Sequence, residues 1–520
     1  MSDLIKKIKI KKQDDTYTDY IPIGAEAKNV DCSDGESVEY KLNKKPYYYK
    51  SVADMKADTK LKVGDMAITL GYYSVNDGGN GEYRIVSGTY TDDGGSYHQL
   101  NNNLYAELII KNGTINIKQF GAKSDGITDN TSIFNTVTQK FISIFIPKGK
   151  YKINTTINLQ NNTKIYGESV ISCWSGGSAI MSEIISPENN YSFHGNWGYV
   201  NEFYNLCFNG YGIDQPCGTR INNCEFKGEI GLNNVRVSSI LQCSFHNCAT
   251  AGIKKMTDSK ITNCFFYGNE IGIDMTDSND NMITNNKIEW NGIGINIKRA
   301  VFNLIDSNIF DRSTTYGIVG ANTTQIEITN NQFERNLTNH INISGAQLNI
   351  SNNSFFAKNS EDDGTGTSLP LNAIYTPSIS DSKIQNNLIN TPSKGKMFQA
   401  YPDYMSKVII TGNIKNGQLT DEFIKTFTDI SVPAGGTVTK QIQWSQLDYL
   451  DLNGYDVNIL SWEYLNSASS YIINILNKSN NIELYYHKNN GIFFTITNPS
   501  DNSINYSLRI RFKNTSLFKV

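Results

Sequence analysis

One phrase recurs eight times between Ile221 and Ile389, and it restricts the fold more than any other stretch of the 520-residue chain. The copies are INNCEF (221–226), ILQCSF (240–245), ITNCFF (261–266), ITNNKI (283–288), IDSNIF (305–310), ITNNQF (328–333), ISNNSF (350–355) and IQNNLI (384–389). Their closing residues, from Phe226 to Phe355, follow one another at intervals of 19, 21, 22, 22, 23 and 22. Ile389 comes 34 residues later, so about a dozen residues are inserted there. One strand-length phrase per period of about 22 points to a solenoid. Side chains alternate faces along a strand. The opening Ile and the Cys or Asn three residues later both face inward only if a residue between them breaks the alternation. That residue is mostly Asn or Gln (Asn223, Gln242, Asn263, Asn285, Asn330, Asn352, Asn386), and Asn tolerates the left-handed backbone of a sharp bend. Strand, bend, strand, with the same inward residue on each turn, describes a parallel β-helix. Cys224, Cys243 and Cys264, followed by Asn286, Asn308, Asn331, Asn353 and Asn387, are expected to stack as an inner ladder. Leucine-rich repeats share the period, but their Leu spacing and helical side are missing.

Composition excludes several functions. Forty-seven basic against 50 acidic side chains leave a net charge of −3, so no bulk attraction to nucleic acid is implied. No apolar run reaches the length of a membrane span, and MSDLIKKIKIKK has no apolar core of a secretory signal. Synthesis in a cytoplasm is expected. The eight Cys include no paired zinc spacing. Inward Cys224, Cys243 and Cys264 read as reduced, buried thiols. The five His (98, 194, 246, 340 and 487) are scattered, and no cofactor fingerprint is present, so neither metal nor cofactor is expected. Asp274, Asp277 and Asp280 share one loop, but the order of a calcium hand is absent, which favours a turn.

In chain order, residues 1–45 read as an attachment segment and 46–112 as a small β-rich module. The strand-like runs MAITLGYYS, GEYRIVSG and LYAELII alternate there with the turns NDGGNG and TDDGGS. Residues 113–418 form the solenoid, with a second strand per coil marked by Leu232, Ile253, Ile273, Ile295, Ile318 and Ile341, and a loop inserted at 357–372. From 419 to 520 the period is lost, and strands at sandwich spacing predict a C-terminal β-sandwich. The fold class is therefore all-β, a right-handed parallel β-helix flanked by these two modules. Asp129 is expected to cap a short helix with Ile133, Phe134 and Val137 on one face, closing the open end of the solenoid.

Three stretches carry a family resemblance. YIPIGAEAKNVDCSDG (20–35) resembles the leading segments of phage tail and baseplate appendage proteins, and 46–112 resembles a neck module of phage tail proteins. INIKQFGAKSDGITDNTSIFNTV followed by ISIFIPKGKYKI (115–153) resembles the opening of the pectate-lyase-like β-helix superfamily, common in phage tailspikes and polysaccharide enzymes. The resemblance implies a homotrimer on the virion, joined through its N-terminus to tail, baseplate or collar proteins. It also implies a host surface glycan, capsule or teichoic acid, as target. The polygalacturonase set (Asn-Thr-Asp, Asp-Asp, Gly-His-Gly, Arg-x-Lys) and the pectate-lyase calcium cluster are not found, so no catalytic residue is carried over.

Aligning the repeats supplies candidates. The residue after each closing Phe or Ile points outward: Lys227, His246, Tyr267, Glu289, Asp311, Glu334, Phe356 and Asn390. Three successive coils thus carry carboxylates, followed by Trp290, Arg312 and Arg335. With rungs about 4.8 Å apart, Glu289, Asp311 and Glu334 fall within the separations glycosidase carboxylates use. Stacked like charges also favour keeping one proton, as a general acid requires. Tyr267, Trp290, Arg312, Arg335 and Phe356 are the accompanying glycan-binding candidates. Against this stands a solvated wall in which Arg312 and Arg335 neutralise neighbouring carboxylates. Three functions follow: a depolymerase (hydrolase or lyase) using Glu289, Asp311 or Glu334; a non-catalytic receptor-binding spike; and a secreted polysaccharide-degrading enzyme, which the absent signal disfavours.

Overall fold

The computed structural model describes residues 46–168, 181–356, 372–389, 408–409, 411–414, 431 and 433–438 in side-chain detail, together with strand backbone elsewhere, including 8–11, 17–21, 390, 396–400, 410, 415 and strands between 418 and 514. Cys32, Cys173, Trp174, most of the attachment segment and the loop 357–371 lie outside the described residues, and His487 is described in backbone alone. The chain divides into two compact units, 1–123 with 143–147, and 124–142 with 148–520.

In the first unit a five-stranded sheet joins Tyr47–Tyr49, Met66–Thr69, Gly81–Val86, Tyr105–Leu108 and Tyr97–Gln99 in that spatial order. Its core holds Met55, Ala67, Tyr83, Ile85 and Ala106. NDGGNG is a turn organised by Asp77, whose carboxylate accepts from the backbone N–H groups of Tyr72, Tyr73, Ser74 and Gly79.

The second unit contains the solenoid, a parallel β-helix in which every repeat pairs with the next in register. The opening Ile of each phrase stacks on the next, from Ile221 to Ile384. The second-strand column Leu232, Ile253, Ile273, Ile295, Ile318 and Ile341 runs in parallel register and continues to Ile374. Despite the insertion, Phe355 pairs with Ile389, and the ladder reaches Ile414–Lys415. The bend residues adopt the expected left-handed conformation, with φ of +51° at Asn223, +52° at Gln242 and +57° at Asn285.

Two internal stacks hold the rungs together. Phe208, Phe226, Phe245 and Phe266 lie face to face with centroids 4.8–4.9 Å apart. Phe310, Phe333 and Phe355 repeat this beyond Ile288 at 4.7 and 4.9 Å. Truncating one such buried ring costs about 3–5 kcal/mol. Beside them runs the inner ladder. The backbone N–H of Cys264 donates to Asn286 Oδ1, that of Asn286 to Asn308, of Asn308 to Asn331, of Asn331 to Asn353 and of Asn353 to Asn387, all at 2.8–2.9 Å. Each Asn amide also donates to a carbonyl deeper in the coil, as Asn308 does to Ile283 at 2.8 Å. The ladder satisfies buried backbone groups that the bend leaves unpaired. Six cysteines, including Cys224, Cys243 and Cys264, are free and buried among the described residues.

The helix closing the solenoid spans Thr131–Lys140, and its Phe134 ring packs 6.1 Å from Phe193. Asn130, not Asp129, occupies the N-cap position. Asp129 still serves the helix, because its Oδ1 accepts from the Thr131 N–H at 2.9 Å and from the Thr131 hydroxyl. Phe134, Val137 and Thr138 form the buried face, while Ile133 is only half-buried.

After the solenoid the strand backbones form two antiparallel sheets. One joins Glu422–Val432, Ile504–Asn514, Val457–Asn466 and Ile472–Asn474, and the other Thr437–Ile442, Gly491–Thr497 and Ile482–His487.

Candidate functional site on the outer wall

The outward column is continuous. Asn209, Lys227, His246, Tyr267, Glu289, Asp311, Glu334, Phe356 and Asn390 are register partners on successive rungs. The next position turns the chain away from the strand. Trp290, Arg312 and Arg335 take φ of +57°, +52° and +53° there, where Gly268 stands one rung earlier with φ +66°. Their N–H groups donate to the carbonyls of Asp311, Glu334 and Phe356 on the following rung at 2.9, 3.0 and 3.2 Å. The left-handed region costs a non-glycine residue about 1–2 kcal/mol, and such strain collects at functional positions.

The corner fixes where these side chains go. The Arg312 guanidinium lies 4.9 Å from the centre of the exposed Trp290 ring. Its Nη1 donates to Asp311 Oδ2 at 2.8 Å. Arg335 reaches back one rung, donating from Nε to Asp311 Oδ1 at 3.3 Å and from Nη2 to Oδ2 at 3.1 Å, and it also pairs with Glu334 Oε1 at 2.7 Å. Glu289 Oε2 is paired with Lys287 at 3.0 Å, and that ammonium also sits 5.7 Å from the Phe265 ring centre.

This corrects one element of the sequence picture. Glu289, Asp311 and Glu334 do align and leave the barrel outward, but Glu289 and Asp311 are buried. Exposed Lys287 pairs with the first, and half-buried Arg312 and Arg335 pair with the second. A carboxylate whose two oxygens are both taken by arginines is poorly placed to hand a proton to a sugar. What the wall offers solvent here is an aromatic ring backed by a guanidinium and a row of cations. Tyr267 and Phe356, both half-buried, flank the carboxylates one rung before Glu289 and one after Glu334.

Upstream on the same wall is a cluster that the carboxylate pattern did not reveal. Glu183, Cys207, Glu225 and Ser244 are successive register partners two positions before the outward column. Glu225 Oε1 lies 2.9 Å from His246 Nε2. Glu183 Oε1 accepts from Asn209 Nδ2 at 2.8 Å and pairs with Lys227 Nζ at 3.3 Å. The carboxylates are the inner partners: side-chain exposure is 4% for Glu225 against 15% for His246, and 6% for Glu183 against 26% for Lys227. Burial works against the Lys227 charge, but the carboxylates of Glu183 and Glu225 around it hold its ammonium above the ordinary lysine range. Burial pushes the Cys207 thiol up. Glu225 Oε2 and Ser244 Oγ are buried without a hydrogen-bond partner. Charge type alone hid this cluster, since it mixes Glu, Cys, Lys and His; the 19- and 21-residue spacing of Lys227, His246 and Tyr267 was the available signal.

The aspartates of 274–280 do not converge. Asp277 pairs with Arg299 at 2.5 and 2.8 Å, Asp274 accepts from Thr276 and Asn296, and Asp280 from Asn279. No group of three potential metal ligands occurs among the described residues.

Comparison with known proteins bears on this architecture. A family profile described as rhamnogalacturonase A/epimerase, pectate lyase-like, matches residues 114–319. The preneck appendage protein of Bacillus phage PZA is 25% identical over 158 residues, 27% of this chain and 18% of that protein. The chain thus matches less than a fifth of that relative's length. Tailspike protein 2 of an Escherichia coli O157:H7 bacteriophage superposes with a TM-score of 0.56 at 13% identity, covering 98% of this chain and 82% of that one. The chain has the parallel β-helix fold of these tailspikes, and over residues 114–319 it is similar to the pectate-lyase-like family. The enzymatically active domain of bacteriophage CBA120 tailspike protein 2 also superposes at TM-score 0.56, with 14% identity and coverage of 94% and 88%. At these identities the structural likeness is one of fold. The matched profile spans the outer wall from Lys227 through Arg312 and stops before Glu334.

Proposed function

We propose that this tailspike-type protein is a virion appendage that binds a host surface glycan, a capsular polysaccharide or teichoic acid, along its outer wall during adsorption. The observation that carries the reading is the strained corner that presents Trp290 stacked on Arg312 beside the buried Asp311. Aromatic faces bind sugar rings, and an arginine behind the ring strengthens its hold on polar, anionic polymers. Tyr267 and Phe356 extend the surface along the column, and Arg335 supplies a second cation. The homotrimer, attachment through the N-terminal segment and residence on the phage tail belong to this reading; residence on the tail is supported by the likeness to a preneck appendage protein and to tailspikes.

Binding of purified host wall or capsule to the full-length protein, compared with Trp290→Ala and Arg312→Gln, tests it. Loss of retention in both variants is expected. Undiminished binding by the double variant would reject the site. Catalysis by Glu289, Asp311 and Glu334 is the second reading, favoured by their alignment on successive rungs. If Glu289→Gln, Asp311→Asn and Glu334→Gln each leave glycan cleavage unchanged, that assignment is wrong.

A further inference from the structure

The inner ladder changes chemistry part-way along. Asn286 accepts the Cys264 N–H at 2.8 Å and donates from Nδ2 to the Ile261 carbonyl at 3.2 Å and to Asn308 Oδ1 at 2.9 Å. From Asn308 to Asn413 each amide likewise donates to the amide of the next rung. On the three rungs before Asn286 the same position holds Cys224, Cys243 and Cys264, all 1–2% exposed. A thiol is a weak donor and a weak acceptor. The Cys243 N–H reaches Cys264 Sγ at 3.4 Å, and the Cys243 and Cys264 thiols stand 3.6 and 3.7 Å from the carbonyls of Ile221 and Ile240, one rung back. The side chains of these three coils are therefore tied to one another far more weakly than those of the coils that follow.

The same contacts fix where the sulfurs lie. Cys224, Cys243 and Cys264 each direct Sγ at the carbonyl two residues before, at 3.5, 3.3 and 3.4 Å. Equivalent contacts on parallel rungs in register line the sulfurs up along the solenoid, about one rung spacing of 4.8 Å apart. Half of that spacing is about 2.4 Å, close to the roughly 2.3 Å of a bond from thiolate sulfur to a d10 ion such as zinc. Zinc itself requires four ligands in a tetrahedron, and no group of three potential ligands occurs among the described residues. A soft monovalent d10 ion is satisfied by two thiolates in a line, and thiolate is the donor that selects copper(I).

We propose that the Cys224, Cys243 and Cys264 column is a binding site for one soft monovalent cation, copper(I) or silver(I), held linearly between the sulfurs of neighbouring rungs. Two S–H bonds break, two sulfur–metal bonds form, both protons pass to solvent, and the metal keeps its oxidation state. A bound cation deprotonates the thiols that coordinate it, and the Cys243 N–H donates into the anionic pair. Cys243 belongs to both possible pairs, and a second ion would lie only about 4.8 Å from the first, so the column takes one. The ion links two coils at the place where the chain of asparagine amides has not yet begun. Cys248 is the internal contrast, a buried thiol flanked on the neighbouring rungs by Gly228 and Asn269.

The site lies inside the solenoid and is independent of the glycan-binding reading. To test it, the reduced, metal-free, full-length protein is titrated with copper(I) without oxygen, and separately with silver(I), which needs no protection from oxidation. Thiolate-to-metal ultraviolet absorbance, metal retained after desalting, X-ray absorption at the metal edge and thermal melting are followed. The expected result is one equivalent retained, two sulfur neighbours and neither nitrogen nor oxygen, and a Tm raised by at least about 2–4 °C. Cys243→Ser, which removes the shared sulfur, should abolish retention and the rise in Tm. Cys224→Ser and Cys264→Ser should each keep the ion, since one pair survives, and the two combined should lose it. Cys248→Ser should bind as the parent does. Cys243→Val fills the same space without a ligand and replaces Cys243→Ser if melting of the metal-free serine variant shows that it does not fold. No retention by the native reduced protein, full retention in the Cys243 variant, or a metal with nitrogen, oxygen or more than two sulfur neighbours would each overturn the site.

Discussion

Arg335 holds both oxygens of Asp311 from the neighbouring rung, at 3.3 and 3.1 Å, although the two residues are 24 apart in sequence. A second guanidinium, Arg312, shares Oδ2. The pair turns the most conspicuous carboxylate of the wall into an anchor for two cations, and it orients Arg312 beneath the ring of Trp290.

Removing that anchor should loosen the wall. Asp311→Asn removes the charge that two half-buried guanidiniums share, leaving Arg335 its pair with Glu334. Because both are partly reached by water, the cost is discounted from the range for a fully buried pair to about 1–3 kcal/mol. A lower Tm and a coupling energy with Arg335→Gln in a double-mutant cycle are the checks. Additive losses would show that the contact contributes nothing.

Trp290→Gly should separate strain from function. Glycine takes φ near +57° freely, so thermal stability is expected to hold or rise by up to about 1–2 kcal/mol. Glycan affinity should fall by about tenfold, the loss of one aromatic and cation–π contact. Isothermal titration against the retained polymer, alongside melting, reads both.

Within the inner ladder, Asn308→Ala strips the acceptor from the Asn286 N–H and from the Asn286 amide, and the donor from Asn331 Oδ1. Unfilled buried groups cost about 1–3 kcal/mol each, so a large drop in Tm is expected. Asn352→Gly, at an exposed bend with φ +58°, should change stability by no more than about 0.5 kcal/mol. Equal effects from the two would contradict the distinct roles of ladder and bend.

Acid should destabilise the solenoid through His340. Burial pushes its imidazole down from the ordinary 6.5 to about 3. Asn336 Nδ2 lies 3.0 Å from Nδ1, and Nε2 is buried without a partner. The folded state therefore keeps His340 neutral while the unfolded chain takes up a proton below about pH 6.5. The stability from this group is full above that pH and declines toward about 3, reaching a loss of about 2 kcal/mol at pH 5. Melting as a function of pH should show this slope in the native protein, and His340→Gln should flatten it between pH 6.5 and 4.

Some of the site was legible from spacing because the solenoid makes sequence distance into a coordinate. Residues 22 or 23 apart become neighbours, which is why Glu289, Asp311 and Glu334 could be aligned on paper. Two further ladders obey the same period, Cys248, Asn269 and Asn291 on one corner and Ser238, Ser259, Asn281 and Asn303 on another. They fall outside the repeated phrase, so its spacing does not reveal them. Asp129 and Asn130 are both good capping types, and only the backbone decides that Asn130 stands at the boundary.

The repeated phrase by itself determined the parallel β-helix, its inward Phe and Asn columns and its outward wall, because alternation and a constant period leave one solution for which side chains face the core. Depth along the wall was decided only by the tertiary structure. Whether Glu289 and Asp311 meet solvent depends on where Lys287, Arg312 and Arg335 fold back. That choice is set by left-handed corners and by partners a full coil away. The same holds for Glu225 beneath His246: the alternation puts both outside the barrel, and only packing between rungs puts one under the other.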